Sequence, residues 1–249
     1  MGKYRFFIFL LCFQIGIAFA GTVQTLDPVI EVEEAPTCGS LTFVGNPGDT
    51  ETFEYQEGDF CTTEFSETDP ATSIISTYDN TQVKNGSYAC SFAHDGTGND
   101  GHFIQVDLGA GDSDFSYDFW FWPHDYDDYA GYTFHCPSAS ADMSNKGFVL
   151  YHYHFGDGQC KFEAVGGSSD TSSAYSSEAW YRFEVDFNQN DTCTIEIYNA
   201  ADEYQETLTF TSWDNQPRYI NWGQTVNDSD AQGTNYFDDP RYKSGGGGF

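Results

Sequence analysis

Apolar and polar positions alternate with a period of two through three short stretches of this chain, Phe115–Trp122, Leu150–Phe155 and Trp180–Phe187. Successive side chains of a β-strand point to opposite faces. One side of these stretches then carries Phe115, Tyr117, Phe119 and Phe121, next Tyr151, Tyr153 and Phe155, and finally Tyr181, Phe183, Val185 and Phe187. That side is predicted to be the core. The other side carries Asp118, Trp120 and Trp122, then His152 and His154, then Arg182, Glu184 and Asp186. If the three strands are neighbours, indole rings share a surface with imidazoles, carboxylates and a guanidinium.

The remaining sequence repeats the theme without helical periodicity. Short aromatic and β-branched runs are separated by clusters of Gly, Asn, Asp and Ser, the pattern of a sandwich. Candidate strands are Ser40–Val44, Glu51–Tyr55, Ser73–Tyr78, Gly86–Phe92, His102–Asp107, Phe115–Trp122, Tyr132–His135, Gly147–Phe155, Cys160–Val165, Trp180–Phe187, Thr192–Tyr198, Glu206–Phe210, Tyr219–Trp222 and Asn235–Tyr242. That is too many for one open sheet and suits two stacked antiparallel sheets. The predicted fold class is an all-β, two-sheet sandwich over residues 38–243. It is preceded by an acidic leader, 21–37, and followed by a Gly-rich tail, 244–249, with little to bury and expected to be flexible.

The first twenty residues change the picture of where such a domain works. Lys3 and Arg5, the apolar run Phe6–Phe19 and the small-x-small triplet Ala18-Phe19-Ala20 form a secretory signal pattern over residues 1–20. The run is short for a membrane span, and no later segment qualifies. A secreted, extracellular protein without membrane insertion is expected. The whole chain has 9 basic and 39 acidic residues. Without Lys3 and Arg5 it keeps 7 basic against 39 acidic residues, a net −32. Nucleic acid is therefore excluded as a partner, because the phosphate contribution would be repulsive.

Secretion also changes how the cysteines are read. Cys12 leaves with the signal, and Cys38, Cys61, Cys90, Cys136, Cys160 and Cys193 remain. An even number in an exported chain predicts up to three disulfides, with the pairing open. None has the C-x-x-C spacing of zinc or redox sites. Asn85, Asn190 and Asn227 head N-glycosylation triplets beside turn-forming residues.

Four segments resemble the concanavalin A-like jelly roll, the superfamily of laminin-G-like modules, many carbohydrate-binding modules and some glucanases. Residues 53–60 (FEYQEGDF) are similar to its "FE-x-G" opening, and 86–92 (GSYACSF) to the following "G-x-y-s-l" strand. Residues 180–185 (WYRFEV) are similar to the "W-h-x-v-e-i" strand, and 236–242 (YFDDPRY) to the closing "y-f-D-D-i-r-v" strand. Pro240 departs from the last pattern; lacking an N–H, it predicts a strand at an edge or end there.

The resemblance implies a structural Ca2+ held by Glu54 and Asp238, with Asp239 as an alternative, and calcium accepts such hard oxygen ligands. The alternative is that these are ordinary solvated acids. It also implies sugar recognition. Tryptophan offers a flat apolar body with one donor, so Trp120 and Trp122 would stack on pyranose rings while Asp118, Tyr126, His152, His154, Arg182 and Glu184 engage hydroxyls. The opposing possibility is that both tryptophans belong to a second core layer, as in a doubly buried strand. Zinc on His152 and His154 would need a third ligand, such as His124 or His135.

Laminarinase-type glucanases of the superfamily use an E-x-D-x-E or E-x-D-x-x-E strand. Here Glu184 and Asp186 match the first two positions, but Asn188 or Gln189 stands at the third and cannot act as a carboxylic acid. No catalytic residue is assigned. The expectation is a noncatalytic module whose partner is a glycan or glycoprotein. The alternatives are a subunit that self-assembles into an extracellular layer or filament, hence a homo-oligomer, and an enzyme with a broken motif.

Overall fold

A computed structural model of the chain describes residues 66–68, 74–95, 101–107, 112–126, 129–137, 146–225 and 232–248. The signal and leader segments, Cys38, Glu54, Cys61, Asn227 and the strands expected at 40–44 and 51–55 lie outside them. Among the described residues the strands are β1 (Ser66–Thr68), β2 (Ile74–Asp79), β3 (Ala89–Asp95), β4 (Gly101–Asp107), β5 (Asp114–Trp122), β6 (Tyr129–Pro137), β7 (Lys146–His154), β8 (Gln159–Val165), β9 (Ser169–Thr171), β10 (Tyr175–Ser176), β11 (Tyr181–Asn188), β12 (Thr192–Tyr198), β13 (Tyr204–Thr211), β14 (Tyr219–Thr225) and β15 (Gln232–Ser244). They form two antiparallel sheets. The first has the order β1-β4-β14-β6-β7-β8-β10, with β9 on β8; the second has the order β13-β12-β11-β5-β15-β3-β2. No helix of the described residues is long and apolar enough to cross a membrane.

The alternation in β5 and β11 builds the centre of the second sheet. Phe115, Tyr117, Phe119, Phe121, Phe183, Val185 and Phe187 are all buried in one core with Phe134, Phe148, Leu150 and Phe162 of the first sheet. Rings interlock across the layers: Phe119 lies 5.1 Å from Phe134 and 5.4 Å from Phe183 between ring centres, and Phe162 lies 4.8 Å from Phe183. Such spacings are those of favourable offset or edge-on aromatic pairs.

β7 departs from the sequence-based expectation twice. It belongs to the first sheet, so it is no neighbour of β5 or β11. Its sidedness is also the reverse. His152 and His154 are buried at 0% and 1% exposure, whereas Phe155 is 58% exposed. The inward register is that of Phe148 and Leu150, and two further steps of two reach the histidines. The phenol of Tyr153 instead faces outward, where it donates to Glu163 Oε2 at 2.5 Å.

β15 meets the expectation for Pro240 locally: the strand lies between β5 and β3, but at Pro240 it has no β3 neighbour. Its register against β5 slips between Asp238 and Arg241. Pairing with β3 ends at Phe237, and Asp239 adopts a left-handed φ of 47°. A bulge tolerates a missing donor within a sheet. The extra residue puts both Asp238 and Arg241 on the outer side and returns Tyr242 to the core.

The expected set of disulfide staples is corrected as well. Cys136, Cys160 and Cys193 are buried free thiols. Cys136 on β6 and Cys160 on β8 flank β7, so their strands stand about 9.6 Å apart, and Cys193 belongs to the opposite sheet about 10 Å away. Those separations exceed the Cα spacing of a disulfide, and the three side chains serve as small apolar fillers. Cys90 is disulfide-bonded.

The buried imidazoles give the core an acid sensitivity. Burial, reinforced by His124 and opposed by Asp125, lowers the pKa of His154 to about 4 from its ordinary 6.5, and burial lowers that of His152 as well. Below pH about 6.5 the unfolded chain then binds protons that the folded core refuses. This contribution is complete above 6.5 and is lost as pH falls toward 4. At about 1.4 kcal/mol per unit, wild type is expected to lose about 2 kcal/mol relative to His154→Gln between pH 6.5 and 5. Urea titrations of both proteins at the two pH values measure this, and parallel curves would contradict it. The comparison with the variant is needed because Asp238, with a raised pKa, stabilises in the opposite direction as pH falls.

Candidate functional site

The outer face of the second sheet collects side chains in lateral rows fixed by strand register. One row runs Tyr198, Arg182, Trp120 and Asp238 across β12, β11, β5 and β15. The next runs Glu196, Glu184, Asp118 and Arg241, and the third Thr194, Asp186, Ser116 and Lys243. Directly opposed residues stand about 4.5–5.5 Å apart, close enough to interact.

Asp118 is the hub. Its carboxylate, 1% exposed, accepts from Arg241 Nε at 2.7 Å and also from Arg241 Nη2. Arg182 Nη1 reaches it at 3.2 Å and donates to Glu184 Oε2 at 3.0 Å, while Arg182 Nε donates to Asp202 at 2.7 Å. The Arg182 guanidinium lies 3.9 Å over the Tyr198 ring. Burial raises the pKa of Asp118, against the opposing pull of both arginines and with a small push from Glu184. Planar groups are thus held in fixed orientations by one another. The Glu184 and Arg241 side chains keep 15% and 29% of their surface accessible.

The tryptophans sit beside this network but are covered. Trp120 and Trp122, each 7% exposed, form a small second cluster with Ala89, Trp180 and Tyr236. The loop before β3 closes over Trp120, with Lys84 Nζ 4.1 Å above its ring and donating to Ala200 O at 2.8 Å. Asp238 latches this loop: its Oδ2 accepts the N–H groups of Lys84 and Asn85 at 2.9 and 3.1 Å, and its Oδ1 that of Asp239 at 2.9 Å. Asn85 Nδ2 donates to Asp239. Burial first, and Asp239 second, push the pKa of Asp238 up to about 8.

Of the eight expected sugar-facing residues, Asp118, Trp120, Trp122, Arg182 and Glu184 therefore share one face. Tyr126, His152 and His154 do not. Tyr126 is 2% exposed in the core, its ring 5.2 Å from that of His154 and 5.1 Å from that of His124. His152 packs edge-on against Phe121 at 5.3 Å. No group of three or more His, Cys, Asp or Glu suited to a metal occurs among the described residues. Asn190 lies exposed in the β11–β12 turn with a φ of 60°. Its Nδ2 donates to Asp214 at 2.7 Å.

Residues absent from the expectation complete the site: Arg241, Asp202, Tyr198, Lys84 and Ser116, beside Asp186, which the alternation already puts on this face. Strict alternation through β15 would send Arg241 inward, and the only sequence signal against that is Pro240. The tail, expected to be flexible, is also placed on this face. Gly247 N donates to Asp186 Oδ1 and Gly248 N to Ser116 Oγ, each at 2.9 Å.

No protein-family model and no curated protein matches the chain. Solved structures are similar in fold. The cellulose-induced protein Cip1 shares 12% identity at a TM-score of 0.50, over 75% of this chain and 95% of that one. The carbohydrate esterase vb_24B_21 from Shiga toxin-encoding bacteriophage phi24B shares 11% at a TM-score of 0.50, over 79% and 99%. The receptor-binding domain of botulinum neurotoxin type G shares 10% at 0.44, and the chain spans 43% of its length. At such identities the likeness is one of fold alone: an all-β chain of two packed antiparallel sheets.

Proposed function

We propose that the chain is a secreted, noncatalytic jelly-roll module of the concanavalin A-like type that binds glycans on the outer face of its second sheet. The observation supporting this is the Asp118–Arg182–Glu184–Arg241 network, in which a carboxylate 15% accessible and a guanidinium 29% accessible are held rigid beside the Tyr198 ring. Fixed planar donors and acceptors suit sugar hydroxyls because little ordering is left to do on binding. The names of Cip1 and the phage esterase accord with a carbohydrate context. A glycan array of the wild type and Glu184→Gln tests the reading. A hydrogen bond to a charged group contributes about 1.5–3 kcal/mol, so the variant is expected to bind at least about tenfold more weakly. An empty array, or equal binding by both, would sink the assignment. Reducing sugar released from the bound glycan by wild type and not by the variant would replace binding with turnover.

We also propose a structural Ca2+ held by Glu54 and Asp238, with Asp239 as the alternative ligand. Asp238 and Asp239 are adjacent buried carboxylates, and a cation would have to displace the backbone N–H groups that both Asp238 oxygens accept. A divalent cation there would offset the burial that raises the pKa of Asp238. Saturating calcium at a hundred times its Kd should add about 2.7 kcal/mol, raising the melting midpoint by about 5–10 °C. A midpoint that chelator leaves unmoved would count against it.

A further inference from the structure

The glycine run after β15 is seated on the sheet by a set of directed contacts. Gly245 N donates to Asp114 O at 2.7 Å, Gly247 N to Asp186 Oδ1 at 2.9 Å and Gly248 N to Ser116 Oγ at 2.9 Å. Lys243 Nζ returns to Gly248 O at 2.6 Å. All four glycines are left-handed, with φ of 85°, 51°, 87° and 73°. L-residues other than Asn and Asp rarely adopt that conformation, and glycine does so without steric penalty. Side chains would also collide: a Cβ on Gly246 would lie 2.0 Å from Asp114 Oδ1, and one on Gly248 would lie 3.0 Å from Glu184 Oε1. Gly248 thus lies beside Glu184, where an added Cβ would meet Oε1, while Arg182 donates to Oε2.

We propose that residues 245–248 are an intramolecular strap that occupies the acidic half of the candidate face and competes with an external glycan for Ser116, Glu184 and Asp186; this rests on the glycan reading above. Carboxylate and hydroxyl oxygens on this half are acceptors, and the strap fills Asp186 Oδ1 and Ser116 Oγ with N–H donors. Sugar hydroxyls donate in the same way, and the strap backbone, 2.9 Å from Asp186 Oδ1 and from Ser116 Oγ, stands where a ligand would approach them. The strap is held only lightly. Its bonds contribute about 0.5–1.5 kcal/mol each, against about 1–2 kcal/mol for ordering each residue. Docked and undocked forms are therefore comparable in free energy. A face open about a tenth to a third of the time lowers apparent affinity by about three- to tenfold.

Two measurements on the full chain separate the strap from the glycan reading. Amide hydrogen exchange at Gly247 and Gly248 in the free wild type should be slowed about three- to tenfold by docking. Unprotected amides overturn the strap whatever the array shows. Protection that grows with protein concentration overturns it too, by assigning the tail to a second copy. The glycan giving the strongest array signal is then titrated into wild type, Gly246→Ala and Gly247→Asn. Gly246→Ala, which cannot dock, should bind about three- to tenfold more tightly. Gly247→Asn should match wild type, since nothing lies within 4 Å of its Cβ position and Asn tolerates the left-handed region. Equal affinity of all three proteins, or an equal gain in both variants, overturns the competition. An array empty for every protein removes the glycan reading and the competition with it, while the exchange result still decides whether the strap docks.

Discussion

Asp118→Ala is expected to destabilise the fold by about 3 kcal/mol, a drop in melting midpoint of about 6–12 °C for a domain of this size. The carboxylate is almost completely enclosed and is the shared acceptor of Arg182 and Arg241. Removing it leaves Arg182 with Glu184 and Asp202. Arg241 loses both of its Asp118 bonds, although 29% of its side chain stays accessible and can recover water. That recovery keeps the effect at the lower end of the range for a broken buried pair. A double-mutant cycle with Arg241→Ala should return a coupling of about 1–3 kcal/mol. If Asp118→Ala melts within a degree of wild type, the network is a surface ornament and the rigidity argued for the site disappears.

Phe119→Ala should do at least as much harm, about 3–5 kcal/mol. Its ring is the junction between layers, 5.1 Å from Phe134 in one sheet and 5.4 Å from Phe183 in the other. Truncation opens a void bounded on both sides by strands that cannot close in, so lost contacts add to the lost transfer energy. Chemical denaturation measures it. A loss below about 1 kcal/mol would mean that Phe119 does not bridge the sheets.

Much of the fold was legible because two strands alternate without ambiguity. In β5 and β11 the inward positions are phenylalanine, tyrosine or valine, and the outward ones of β11 are charged, so period two assigns every side chain. β7 was not legible by that rule. Its Tyr-His-Tyr-His segment is aromatic on both faces, and ring size does not say which ring is buried. The deciding information lay upstream, in Phe148 and Leu150, whose register leads to the histidines. The tryptophans were correctly put on the outer side of β5. The cover of Trp120 comes from a loop some forty residues earlier, latched by an aspartate more than a hundred later, and no local pattern expresses that. The glycine tail shows the opposite failure. Its composition permits disorder, yet backbone N–H groups need only suitable acceptors, and Asp186 and Ser116 provide them.

The slip between Asp238 and Arg241 makes β15 behave like a message with a frame. Upstream of it the outward residues are Tyr236 and Asp238; downstream they are Arg241 and Lys243. Losing one residue there would leave the upstream half untouched and exchange the two faces of everything after it, driving Arg241 toward the phenylalanine core and Tyr242 into water. Descendants of this chain can thus change the chemistry of residue 240 far more freely than the number of residues between 238 and 241.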